Sequence, residues 1–243
     1  MHRILNQSSL KIAGLIFVVV IFLSMIGCAT PGRSGFMIQK PSRDTVKNEK
    51  IVNRSFDEVW DELVRDLAKS FFVINNIDKA SRIINVSFNS ETPEKFIDCG
   101  KTQRTYSRGK ENVEYVYEIA ASSSYKTAFA AGPYKNLPGT NFVNRRTSLD
   151  GRMNIYVAPV AGGTQISVNA RYILTVTVSG SYVIENVYGN PIQSGNPPYI
   201  APSTCSFNTN QPNTCVWGTG QDTQPVTCQS KGVLESEVLN FVQ

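Results

Sequence analysis

The uncharged run at residues 12–23 constrains this chain more than any other stretch. It is preceded by Arg3 and Lys11 and leads into Ser24-Met25-Ile26-Gly27. A basic head, an apolar segment and small residues before a cut are the marks of an export signal. The run is short for a spanning helix, which needs about 20 predominantly apolar residues; an uncleaved anchor is the weaker alternative. In either case the body of the chain is expected outside the cytoplasm. Cysteines there become covalent constraints on the fold.

Gly27-Cys28, at the end of this segment, resembles the lipobox of bacterial lipoproteins. The resemblance implies cleavage after residue 27, with N-acyl and S-diacylglycerol (palmitate-type) lipid on Cys28. No other cofactor is expected. Ala29 stands where an aspartate would retain such a protein in the inner membrane, so the resemblance places it on the periplasmic face of the outer membrane, held there by Cys28. Multiple acyl chains anchor stably where one would not.

Cleavage leaves 216 of the 243 residues, enough for a sizeable core. Removing Arg3 and Lys11 leaves 22 basic residues against 19 acidic ones, a net charge of +3. That small excess, with no dense Lys/Arg block, predicts no nucleic-acid binding. The single histidine, His2, lies in the removed segment. Ser-His-Asp and Cys-His nucleophile systems, and metal sites that need imidazole, are thereby excluded. We expect no enzyme and no metal. The remaining cysteines, Cys99, Cys205, Cys215 and Cys228, are even in number and read as two disulfides. Three pairings are open; we expect Cys205–Cys215, which closes a small Pro/Asn/Thr loop, together with Cys99–Cys228.

Residues 28–50, rich in Pro, Gly, Ser and Lys, read as a flexible tether to a single domain at 51–243. Ser55-Phe56-Asp57-Glu58 is a capping box. From Phe56, apolar residues recur through Val59, Trp60, Leu63, Leu67 and Phe71, which predicts an amphipathic helix. Two β-branched runs, 72–77 and 82–88, flank a polar turn and predict a hairpin. Residues 101–112 read as a solvated basic loop. Val113, Tyr115, Tyr117 and Ile119 alternate with Glu114, Val116 and Glu118 as a half-buried strand. Residues 153–160 and 164–172 around Gly162-Gly163 form the clearest hairpin. Ile173 to Val178 prolongs its second strand, and Tyr182-Val183-Ile184 can continue it. Residues 189–225, dense in Gly, Pro, Asn and Thr, read as disulfide-tied loop. A helix closes the chain from about residue 230.

The phrases S-F-D-E-V-W-D-x-L, F-V-I-N-N-I-D and I-I-N-V-S-F, within residues 50–90, are similar to the repeated domain of BamC-like outer-membrane lipoproteins. That resemblance implies an α+β helix-grip fold, a curved antiparallel sheet packed on a long helix, here with a C-terminal helix. It also implies an accessory role, with an envelope protein as partner.

Residues 122–150 read as a long loop with aromatic and basic residues; long loops in compact domains are usually either functional or disordered, and we take this one as the contact surface, a mobile loop being the alternative. Tyr125, Phe129, Tyr134, Phe142, Arg145 and Arg146 are therefore the candidate partner contacts. The alternative is an apolar ligand held between helix and sheet, in a cavity beneath Trp60 and Leu63. A third reading, carboxylate-based hydrolysis, would need Asp98, Asp150 and Glu185 to converge.

Overall fold

In the computed structural model the described residues are 31–42, 44–129, 137–197, 200–217 and 223–243. Cys28 and Tyr134 lie outside them. Two strands, β9 (Gly139–Val160) and β10 (Gly163–Glu185), organise the rest. They pair antiparallel along their whole length, from Gly163 opposite Val160 to Ile184 opposite Gly139. Gly162 and Gly163 close the turn with φ of 92° and 135°, the left-handed region glycine enters without strain.

Shorter strands dock in succession along both edges of this ribbon. On β10 they are β2 (Glu49–Val52), β12 (Ser203–Asn208) and β11 (Pro191–Gly195). On β9 they are β4 (Ile83–Ser90), followed outward by β3 (Val73–Asp78), and β8 (Ser123–Ala128). Two three-stranded sheets complete the fold. One is β1 (Arg33–Gln39), β6 (Lys101–Arg108) and β7 (Glu111–Glu118). The other is β13 (Asn213–Trp217), β14 (Gln224–Ser230) and β5 (Ile97–Asp98).

The helix α1 (Phe56–Lys69) forms as its sequence dictates. The Glu58 amide donates to Ser55 Oγ at 3.4 Å, and the Ser55 amide donates to Glu58 Oε2 at 3.1 Å. Val59, Trp60, Leu63 and Leu67 are buried against the central sheet. A second helix, α2 (Val233–Asn240), buries Leu234, Val238 and Leu239.

The fold class nevertheless differs from the expected helix-grip arrangement. About 60% of the structure is strand and 13% helix, and no long helix spans the sheet. The reason is one of reach. Fourteen helical residues cover ~21 Å, while 22 extended residues run to roughly 70 Å before twist shortens them. A short helix can cover only part of such a ribbon, so the two small sheets cover more of it.

Four segments expected as tether or loop are therefore strands, in whole or in part. In the expected tether, β1 pairs with β6 from Arg33↔Ser107 to Gln39↔Lys101. The basic stretch after residue 100 is β6 itself, and the loop expected at 122–150 supplies β8 and the first half of β9. The stretch expected as loop from 189 to 225 contributes β11, β12, β13 and the start of β14.

From Arg145 to Val157 every second residue of β9 is buried, and this face changes character along its length. Leu149, Met153, Ile155 and Val157 form the aliphatic half, and Arg145 and Thr147 lie on the same face further toward the start of the strand. Between them Gly151 leaves room for the Phe88 ring: a Cβ at Gly151 would stand 2.1 Å from Phe88 Cζ. Phe88 cannot yield easily, being 4% exposed and edge-on to both Phe72 and Tyr172. Gly151→Ala is thus expected to destabilise by about 1–3 kcal/mol, the overlap outweighing the alanine's better backbone propensity. Urea unfolding with an unchanged m-value would measure it.

Candidate functional site

Where the inner face of the ribbon turns polar, it meets the two small sheets around a cavity of about 560 Å³. Phe36, Ile38, Thr102, Arg104, Tyr117 and Ile119 come from the β1–β6–β7 sheet and its edge. Tyr125, Val143, Arg145, Val176 and Val178 come from the central sheet, and Trp217, Gln224 and Val226 from the third. Strand alternation makes this possible. On β6, Thr102 and Tyr106 are buried and Arg104 is half-buried, all on one face, with Lys101 and Thr105 turned to water.

A stack of rings and guanidiniums runs across the site. The Arg104 guanidinium lies 4.9 Å from the Phe36 ring centroid and 4.5 Å from that of Tyr125. Tyr125 stacks on Tyr117 at 5.7 Å with 12° between planes. Arg145 follows, 6.0 Å from both the Tyr117 and Trp217 rings. Each cation sits over ring faces, where the quadrupole favours it. Arg104 Nε donates to Tyr117 Oη at 2.9 Å, which fixes the guanidinium and directs its two terminal nitrogens elsewhere. Arg145 donates from Nη1 to the Ala121 carbonyl at 2.6 Å and from Nη2 to that of Ile119.

Neither arginine pairs with a carboxylate among the described residues, although Arg145 is only 8% exposed. The contrast on the same strand is sharp. Arg108, four residues beyond Arg104, is bridged to Glu185 by both terminal nitrogens. A buried cation without a counter-ion is costly, and ring faces and carbonyls offset only part of that cost. Burial pushes the Arg145 guanidinium down from its usual range, yet an arginine stays charged at neutral pH. The Trp217 Nε1–H is buried with no acceptor among the described residues; the Ser123 hydroxyl, across the ladder from Arg145, shares that condition. The site therefore offers positive charge and an unused donor, with nothing negative facing them among the residues that line it.

Burial also pushes the Tyr125 hydroxyl up, from 10 to about 12, against the opposing pull of Arg104 and Arg145. A phenol held neutral in the fold stabilises it fully below pH 10, and that contribution is lost as pH climbs through 12. Alkaline unfolding is accordingly expected to set in over this window, and a Tyr125→Phe variant should move it upward. Tyrosinate absorbance alongside circular dichroism would check this.

The expected site residues divide. Tyr125 and Arg145 line the cavity, and Phe142 lies at it, 41% exposed. Phe129 packs instead on Tyr182 at 5.1 Å, and Arg146 points from the opposite, exposed face of β9. Arg104, Tyr117, Phe36 and Trp217 were not among the expected contacts. Both disulfides form as anticipated, Cys99–Cys228 and Cys205–Cys215. The second ties β12 to β13, two residues before Trp217.

The expected cavity beneath Trp60 and Leu63 is filled: these side chains are 4% and 0% exposed in a continuous core. The three carboxylates do not converge. Glu185 is bound by Arg108, Asp98 accepts from the Gly100 amide, and Asp150 is exposed on β9. No cluster of three or more His, Cys, Asp or Glu side chains that could hold a metal occurs among the described residues. No known protein family, curated protein or solved structure matches the chain.

Proposed function

We propose that this protein is a noncatalytic binding module, anchored through Cys28 to the periplasmic face of the outer membrane, whose two-arginine cavity receives an organic anion. In this reading it serves an envelope assembly or secretion complex as an accessory. The observation that carries the ligand part is the pair Arg104 and Arg145, brought together in one pocket without a carboxylate partner among the described residues. A cavity of about 560 Å³ is within the usual 300–1,000 Å³ range of single-ligand sites. The guanidinium fork matches a carboxylate or phosphate geometrically. The anchor rests on the 12–28 segment, and mass spectrometry of native material should find Cys28 acylated.

Arg104→Gln tests the anion reading. A charge-assisted contact contributes about 1.5–3 kcal/mol, so the variant should weaken organic-anion binding about 10- to 100-fold. Thermal upshift by carboxylate and phosphate ligands, with the matching neutral amides as controls, would measure it. Equal upshifts by acids and amides would count against an anion site. Co-purification after mild crosslinking tests the accessory role separately.

A further inference from the structure

Resting on that reading, we propose that the ligand is an acidic single-chain amphiphile, its head on Arg104 and its aliphatic tail along the floor of the cavity. The faces of the aromatic residues are largely spoken for. Tyr117 and Tyr125 stack on each other, the Arg104 guanidinium lies against Phe36 and Tyr125, and Arg145 lies over Tyr117 and Trp217. A planar aromatic ligand stacking on Tyr117 or Tyr125 would have to displace one of these partners.

The rest of the lining combines polar side chains, among them Thr127, Asn141, Ser179 and Ser181, with an aliphatic set. Ile38, Ile119, Val143, Val176, Val178 and Val226 present branched side chains from five different strands and their ends. Such a surface offers apolar area without stacking faces, which suits a flexible methylene chain. The two termini of such a molecule match the two halves of the site. An acid head can take the terminal nitrogens of Arg104 and the Trp217 indole N–H, none of which has an acceptor among the described residues, and a tail can cover the valines and isoleucines. Carboxylate and phosphate heads share this chemistry: the first would come from free fatty acids, the second from lysophospholipids.

The test uses the full chain in nanodiscs of zwitterionic phospholipid, with empty discs as the blank. Calorimetric titration would follow n-alkyl carboxylates and n-alkyl phosphates of increasing length, with n-alkyl alcohols as neutral controls. Trp217 supplies a second readout, because the only other tryptophan, Trp60, is buried in the helix core. Affinity for the acids should rise about fourfold per methylene until the floor is covered. It should fall at least tenfold in Arg104→Gln. Val178→Phe, which fills the floor, should weaken long acids more than short ones, so that the gain per methylene falls. The head group that binds more tightly at equal chain length identifies the source.

Acetate or inorganic phosphate binding as tightly as long acids would overturn the tail and leave the anion reading standing. Alcohols binding as tightly as acids, with Arg104→Gln neutral, would overturn both. Absence of binding by every probe to a folded protein would also overturn both.

Discussion

Replacing Cys99 and Cys228 together by alanine should lower stability by about 5 kcal/mol, the largest effect expected of any substitution here. The bridge joins residues 129 apart, and loop-closure entropy in the unfolded chain grows with that separation. The Cys205–Cys215 bridge, spanning only 10, should be worth about 3 kcal/mol by the same argument. Both sulfurs of the longer bridge are in the core, Cys99 at 1% and Cys228 at 0% exposure, so packing is lost as well. For a chain of this size each kcal/mol moves the melting midpoint by about 2–4 °C, so a drop of roughly 10–20 °C is expected. Calorimetry of the two double variants side by side would decide it. A drop no greater than that of the Cys205/Cys215 pair would mean that the unfolded chain is already compact between residues 99 and 228. Weaker ligand binding should accompany the loss, because Val226, two residues from Cys228, lines the cavity.

The second large effect is expected at Glu235, a carboxylate with 0% exposure on α2. Thr209 Oγ1 donates to Glu235 Oε1 at 2.6 Å, and Ser230 Oγ donates to its two oxygens at 3.2 and 3.1 Å. Tyr172 Oη lies 3.0 Å from Ser230 Oγ and completes the chain of hydroxyls. Burial, followed by the nearby Glu235, pushes the Tyr172 hydroxyl well above its ordinary value. Glu235→Leu would leave one hydroxyl of the Ser230–Tyr172 pair without an acceptor and Thr209 only the Ala170 carbonyl at 3.4 Å, and is expected to cost about 3–5 kcal/mol. Glu235→Gln keeps one acceptor oxygen, and about half that cost is expected. Urea denaturation at constant m-value would compare them. A neutral leucine variant would mean that these hydroxyls find other acceptors and that α2 is held by Leu234, Val238 and Leu239 alone.

Much of the scaffold was legible because its signals are local. The Ser55–Glu58 box and the Val59–Leu63–Leu67 stripe specify α1 without reference to anything distant. Gly162-Gly163 between two alternating runs specifies the central hairpin, and the even cysteine count pointed to the crosslinks. Of the strands that form the cavity, alternation made β7 and the Ile173–Val178 part of β10 legible, whereas β1, β6 and β8 were not. On β6 the inward residues are Thr102, Arg104, Tyr106 and Arg108, so both faces look polar and the stretch resembles a solvated loop. Arg104 was therefore read as one more surface charge.

The Gly- and Pro-rich last quarter did carry a signal, in its cysteines. Cys205 and Phe207, Cys215 and Trp217, Val226 and Cys228 are pairs two residues apart, the period of a strand with one face inward. Reading cysteine as an apolar residue would have found three strands there. The helix-grip expectation failed for a different reason. A capped helix beside a hairpin is compatible with several architectures, and only the length of β9 and β10 selects among them.

That length has an evolutionary consequence. Because inward residues fall at odd positions along β9, the arginine end and the aliphatic end share a single parity. Inserting one residue between Arg145 and Leu149 would turn one end inside out relative to the other, unless a bulge absorbed it. Insertions and deletions in this ribbon should therefore survive in pairs, so that drift in length preserves both ends or neither.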